Sequence, residues 1–215
     1  MNNNSHEGQS ISMPYLIADV DFNRKLRISE KNVEHTVSFL ENGAKDFILP
    51  DFVTPHGYRF VKSLKQAQYR MITSGDKPET VYAVKLIFRN DIIVDKETCT
   101  QIMVWRTFSP EHQDAASGFP RRFFSFLLDN YRIIVTDEEQ TGDGKRFWQI
   151  MIAWSMSVGY HVYISDGGEI DRPLTAVTSM DELLDKWDAF CWGRDKDLHR
   201  HRLIVISKEV LSSPN

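Results

Sequence analysis

The sequence predicts an α/β (α+β) fold, a mixed sheet in which antiparallel strands are followed by a βαβ unit. Three observations predict it. Thr80 to Phe88 and Thr100 to Phe108 are dense in Val, Ile, Tyr, Trp and Phe and are separated by the polar segment Arg89 to Thr98, the pattern of neighbouring antiparallel strands. Tyr131 to Ser165 then reads as strand, glycine-containing loop, helix and strand, so a right-handed crossover and two parallel strands are expected. Finally, Ser179-Met180-Asp181-Glu182 has the spacing of a capping box and precedes apolar residues at helical spacing. With 215 residues and 41% hydrophobic side chains the chain can bury one sizeable core. We expect a tail over residues 1–13 and one domain over 14–215, divided into a helix-rich part (14–79) and a second part (80–207).

The tail is polar, rich in Asn and Ser, and has too few apolar side chains to offset the entropy of ordering it. Tyr15 to Val20 is a candidate short strand. Ser29 stands as an N-cap before Val33, Val37 and Leu40 on one helical face, with Gly43 past the end. Pro50 interrupts the apolar run Ile48 to Val53, which therefore reads as a connector or edge strand. From Tyr58 to Ile72 the spacing of Val61, Leu64, Gln68 and Met71 follows the helical period, and residues 74–78 end it. Pro120 opens a short aromatic helix through Leu128, closed by Asn130. Strand 131–136, helix 145–158 and strand 160–165 follow. The helix is apolar nearly all round, which places it inside a packed layer. A loop over 166–178, the capped helix from Ser179, a charged loop over 193–202 and a last strand Leu203 to Ser207 complete the order.

Composition excludes several classes of function. Twenty-six Lys and Arg against thirty Asp and Glu give a net charge of −4, so no global field attracts nucleic acid or an anionic membrane; the basic stretch Arg194–Arg202 is the one local candidate for phosphate contacts. No apolar run is long enough to span a membrane and the N-terminus lacks the pattern of a signal peptide, so a cytoplasmic location is expected. Cys99 and Cys191 stand far apart without metal-ligand spacing. Nucleophile-elbow, zinc-protease, P-loop and dithiol motifs are all missing from the sequence.

Three groups of residues carry candidate chemistry. Gly142, Asp143, Gly144 and Lys145 lie between a strand and a helix start, where backbone N–H groups and the helix dipole favour an anion; a plain turn capped by Thr141 or Asp143 is the structural alternative. Asp137 and Asp166 follow the two expected parallel strands and, with Glu138 or Glu139, form a candidate Mg²⁺ site. His199 and His201 alternate, as two metal ligands on one strand face would.

The order of elements from Thr80 to Ser207 resembles the GNAT acyltransferase fold. In that family a Gln/Arg-x-x-Gly-x-Gly/Ala loop holds the pyrophosphate of acetyl-CoA; here Glu139-Gln140-Thr141-Gly142-Asp143-Gly144 keeps both glycines and has Glu at the first position. The resemblance implies acetyl-CoA as cofactor, pyrophosphate held by the amides of Gly142 to Lys145, and Glu138 or Glu139 as the base that deprotonates an amine. The Tyr that the family often places on the helix after the next strand has no counterpart between Met180 and Trp192. The stretch Ile133-Ile134-Val135-Thr136-Asp137 through Phe147-Trp148 is also similar to small proteins of phages and other mobile elements. The sequence thus leaves three readings: an N-acyltransferase, a non-catalytic protein that binds or blocks a macromolecular partner, and a Mg²⁺-dependent phosphotransfer enzyme or nuclease.

Overall fold

A computed structural model describes residues 26–138 and 141–212; the expected tail, the strand Tyr15 to Val20, Glu139 and Gln140 lie outside the described residues. Among the latter, nine strands form one sheet in the order β1-β2-β3-β4-β5-β6-β9-β7-β8. They are β1 (Ala44–Asp46), β2 (Tyr58–Ser63), β3 (Gln68–Thr73), β4 (Thr80–Ile93), β5 (Lys96–Arg106), β6 (Ile133–Val135), β7 (His161–Asp166), β8 (Leu174–Val177) and β9 (Arg202–Ser207). Every neighbouring pair is antiparallel except β5 and β6, so the sheet is mixed, as expected.

The main correction concerns Tyr58 to Ile72, which forms the β2–β3 hairpin and not a helix, with Tyr58 opposite Thr73 and Lys62 opposite Tyr69. Both faces of this hairpin are covered. Phe60, Tyr69 and Met71 join the large core, while Val61 and Ile72 pack with Phe39 on the other side. A strand buried on both faces lacks the alternation that identifies a half-buried one, and the helical spacing of Val61, Leu64, Gln68 and Met71 is incidental. Residues 14–79 are therefore not helix-rich where described: they hold one long helix and three strands.

That helix, α1 (Ser29–Glu41), covers one face of the sheet; Ser29 is its first residue rather than its cap, since Ile28 holds the N-cap position and the Ser29 hydroxyl donates to Glu79. Its Asn32 exchanges hydrogen bonds with the Thr80 backbone at 3.0 and 2.7 Å, and its Thr36 hydroxyl meets that of Thr80 at 2.7 Å. On the opposite face lie α2 (Gln113–Ala116), α3 (Phe119–Tyr131) and α4 (Gly142–Ser157). Phe119, Phe123, Phe124, Leu127 and Leu128 turn the buried side of α3 to the sheet. Instead of closing at Asn130, α3 runs through Tyr131 and ends on Arg132 in a left-handed conformation (φ 63°).

The strand–helix–strand unit keeps its sense but not its adjacency. β6 and β7 both pair antiparallel with β9, which lies between them, so they run parallel one place apart. β8, an edge strand inside the expected loop 166–178, escaped notice because Thr175 and Ala176 are exposed and leave little apolar signal. The helix from Ser179 is present as Met180–Glu182, Leu183–Trp187 and Asp188–Cys191, which together we call α5, with π-helical bonding in the middle stretch. Ser179 Oγ accepts from the Glu182 N–H at 3.1 Å, while Glu182 accepts from Thr178 rather than closing the box on Ser179. A short helix, α6 (Lys196–His199), occupies part of the expected charged loop.

His199 in α6 is clamped between the carbonyls of Asp195 (2.7 Å) and Ala189 (3.3 Å). A methyl group added at Gly193 would run into this buried ring, which could move aside only by giving up its contacts to the two carbonyls. Gly193→Ala is therefore expected to cost about 1–3 kcal/mol through overpacking. A urea denaturation midpoint equal to wild type would contradict it.

Candidate functional site

The parallel pair β5/β6 is short, with Cys99 opposite Ile134 and Thr100 opposite Val135. Beyond it the strands part. β5 continues to Arg106, whereas the chain after β6 stays with β9, Thr136 N–H donating to the Ile204 carbonyl and its hydroxyl accepting from Ile204 N–H. The connection from β5 to β6 runs through α2 and α3, and the one from β6 to β7 through α4. A cleft of about 1160 Å³ opens where the end of β5 and the starts of α3 and α4 face one another.

Phe147, Ile150, Met151 and Trp154 of α4 supply an apolar wall. This wall explains why α4 reads as apolar nearly all round: Trp148, Met151 and Ile152 are buried, but Ile150 is 50% exposed, so the helix is not enclosed within a layer. The rest of the cleft is cationic. Arg27, Arg106, Arg121, Arg122 and Arg146 line it, with Asp143 as the one carboxylate among the lining residues. Tyr82, across the ladder from Arg106, also lines the cleft. Its hydroxyl is buried with no hydrogen-bond partner among the described residues, and burial raises its pKa well above the usual phenol range.

The two helix starts differ. In α4, Thr141 Oγ1 accepts from Gly144 N–H at 3.1 Å and Asp143 adds a carboxylate, so the site is partly filled by the chain itself. In α3 the N-cap is Gly118, left-handed at φ 70°, with no side-chain cap and no acidic residue in the first turn. Two arginines follow there, against the sense of the helix dipole. The loop leading in is held by Gln113, whose Nε2 donates to the Thr107 (2.8 Å) and Ser109 (3.2 Å) carbonyls.

Of the residues singled out from sequence, Asp143 and Gly144 border this cleft. Gly142 is exposed at the start of α4. Lys145 turns elsewhere, its ammonium 2.7 Å from Asp188 and over the Trp192 ring. Glu138 is ion-paired with Arg89, which also holds Asp91, in a charged network apart from the cleft. Glu139 lies outside the described residues. Asp137 Oδ1 accepts from Glu138 N–H, and Asp166 Oδ1 accepts from Gly168 N–H and lies 3.9 Å from Arg202. Both act as turn residues, and no group of three or more His, Cys, Asp or Glu among the described residues could hold a metal. His199 is the clamped ring described above, and His201 Nε2 accepts from Arg200 Nε at 2.7 Å, so the two do not form a shared metal corner. Burial and the neighbouring Arg200 and Arg172 lower the His201 pKa. Burial likewise pushes the Cys99 and Cys191 thiols up to about 12, which removes both as nucleophiles.

In sequence Arg121 and Arg122 read as either phosphate contacts or solvated surface, and Arg146 as a positive group beside the glycine loop; all three line the cleft, whereas Arg27 and Arg106 were not legible. The signal was present at Pro120-Arg121-Arg122, where cations follow a helix start without any compensating acid. Compared with protein-family models, with curated proteins and with solved structures, the chain matches none.

Proposed function

We propose that the chain is a GNAT-like N-acyltransferase that takes its acyl group from acetyl-CoA. The observation that carries this reading is an arginine-lined cleft between the end of β5 and the open start of α3. A ligand there meets an uncapped helix start, a favourable dipole and several guanidinium groups, which suit a pyrophosphate. The segment before α3, Gln113-Asp114-Ala115-Ala116-Ser117-Gly118, carries the first and last residues of the family's pattern, with Ala116 at its middle glycine, but its first four residues form α2 rather than a loop. We therefore assign the pyrophosphate to α3 rather than to α4, where Thr141 already takes the Gly144 amide. Asp143 and Gly144 remain at the rim.

When bound, acetyl-CoA supplies a thioester carbonyl open to attack by an amine. The apolar wall of Phe147, Ile150 and Trp154 shields the acyl end from water, and Arg106 and Tyr82 stand as candidate groups to orient it. Glu138, already held by Arg89, has no part in this scheme. Among the described residues no helix is long and apolar enough to cross a membrane. Calorimetry with acetyl-CoA tests the reading: binding is expected, accompanied by a rise in thermal stability that grows with ligand concentration. Absence of binding would remove it. The remaining candidate would be the partner-binding protein, for which Ile48 and Val53, 88% and 90% exposed beside the packed Phe47 and Phe52, offer an apolar contact.

A further inference from the structure

A second pocket, of about 630 Å³, lies around the same end of β5 and borders α1. It shares Arg27, Trp105, Thr107 and Phe108 with the arginine-lined cleft, so the two adjoin at the strand end. Its acidic and basic side chains are arranged as a chain. Tyr58 of β2 places its hydroxyl 2.9 Å from His112 Nδ1, the rings meeting edge to face. The other ring nitrogen of His112 is 3.7 Å from the Glu79 carboxylate, beyond hydrogen-bond distance. Ser29 Oγ donates to the remaining Glu79 oxygen. His112 is 13% and Glu79 25% exposed, and both line the pocket with Glu111.

This geometry suits a division of labour. With an ammonium seated between Nε2 and Glu79, the ring proton is favoured on Nδ1, where it is donated to the Tyr58 oxygen, and the Nε2 lone pair faces the ammonium. A nitrogen atom at the apex between Nε2 and the carboxylate would be in reach of both. We propose that this pocket takes a primary amine and that His112 Nε2 is the base that deprotonates it, with Glu79 holding the ammonium and Tyr58 positioning the imidazole. The inference rests on the acyl-transfer reading of the adjoining cleft for its second substrate. In the step, the ammonium gives one proton to His112. The freed lone pair attacks the thioester carbonyl, a C–N bond forms and the C–S bond breaks. The thiolate leaves with its electron pair and receives the second proton lost by the amine nitrogen, and His112 releases its proton to solvent. The charged and titratable groups facing His112 are Glu79 before β4, Glu111 on its own turn, Arg27 before α1 and Tyr58 on β2.

Two measurements on the full chain test it. In the first, n-butylamine is titrated into protein with ¹⁵N-labelled histidine; the His112 ring resonances are expected to shift in the wild type and to stay in place in Glu79→Gln. No shift in the wild type would overturn the proposal. In the second, acetyl transfer from acetyl-CoA to n-butylamine is followed as a function of pH. His112→Gln is expected to lower kcat by about 100-fold or more, to lose the ascending limb of the rate–pH profile, and to leave the KM for acetyl-CoA unchanged. Glu79→Gln is expected to raise the KM for the amine. A His112→Gln variant with the wild-type rate and profile would also overturn it. If His112 responds to the amine while acetyl-CoA fails to bind the wild type, the cleft reading falls and the amine pocket stands.

Discussion

Replacing Phe123 by Ala is expected to lower stability by about 3–5 kcal/mol, the usual cost of removing a large aromatic side chain from a rigid core. Phe123 is fully buried on α3. Its ring meets Tyr69 at 5.1 Å and Phe60 at 5.8 Å across the sheet, and stacks on Phe119 and Phe126 at 5.9 Å along its own helix. These neighbours cannot close the gap. Phe60 is also held edge to face by Phe47 (5.3 Å) and Phe119 (4.8 Å), and Phe119 by Tyr82 (4.9 Å). The cavity therefore persists, and the loss includes both the transfer of the ring to water and the contacts its neighbours forfeit. Since a domain has only about 5–15 kcal/mol in hand, the variant should sit near the edge of folding. Urea denaturation of Phe123→Ala and Ile48→Ala separates the cases. The exposed Ile48 should move the midpoint little, and a loss below about 1 kcal/mol for Phe123 would mean that its ring is not packed as described.

The double variant Arg121→Glu/Arg122→Glu should change stability and binding in opposite directions. In the absence of ligand, two arginines at the start of α3 oppose the helix dipole. Replacing both with carboxylates should stabilise the free protein by about 0.6–2 kcal/mol, taking 0.3–1 for each residue. Neither arginine has a carboxylate partner among the described residues that the change would break. Binding of acetyl-CoA should fall by at least about a hundredfold, because charge-assisted hydrogen bonds of about 1.5–3 kcal/mol each become repulsions. Thermal melts and calorimetry on the same preparation read both effects. A variant that is less stable and still binds would show that the arginines serve the fold, not a ligand.

The legible parts of the sequence were those governed by local chemistry. Thr141 and Ser179 each cap a helix start, the β-branched and aromatic runs mark β4 and β5, and Gly159 ends α4 with a left-handed φ of 83°; Ser29 falls at the start of α1 but does not cap it. What could not be read depends on partners distant in the chain. β2 and β3 are covered on both sides by helices elsewhere in sequence, which erases their alternation. The candidate site suffers most from this. Its loop at Gly142 was visible as a motif, but whether an amide is free depends on whether Thr141 takes it. The cleft itself is built where the end of β5 meets two helix starts, an arrangement that no local pattern encodes. His112 carried no signal beside Glu111, since Tyr58 and Glu79 reach it from two distant parts of the chain.

The position of β9 has a bearing on how the chain reaches this state. β6 and β7 are made early relative to the strand that must lie between them, so during synthesis both present unpaired edges until Arg202–Ser207 leaves the ribosome. Those edges carry Ile133, Ile134, Val135, Val162 and Ile164, all buried once β9 is in place. Insertion of this one strand joins the halves of the sheet, with pairings that span much of the chain, a topology that folds slowly and exposes aggregation-prone intermediates. A nascent chain arrested before residue 202 should accordingly depend on chaperones, while the finished chain should not.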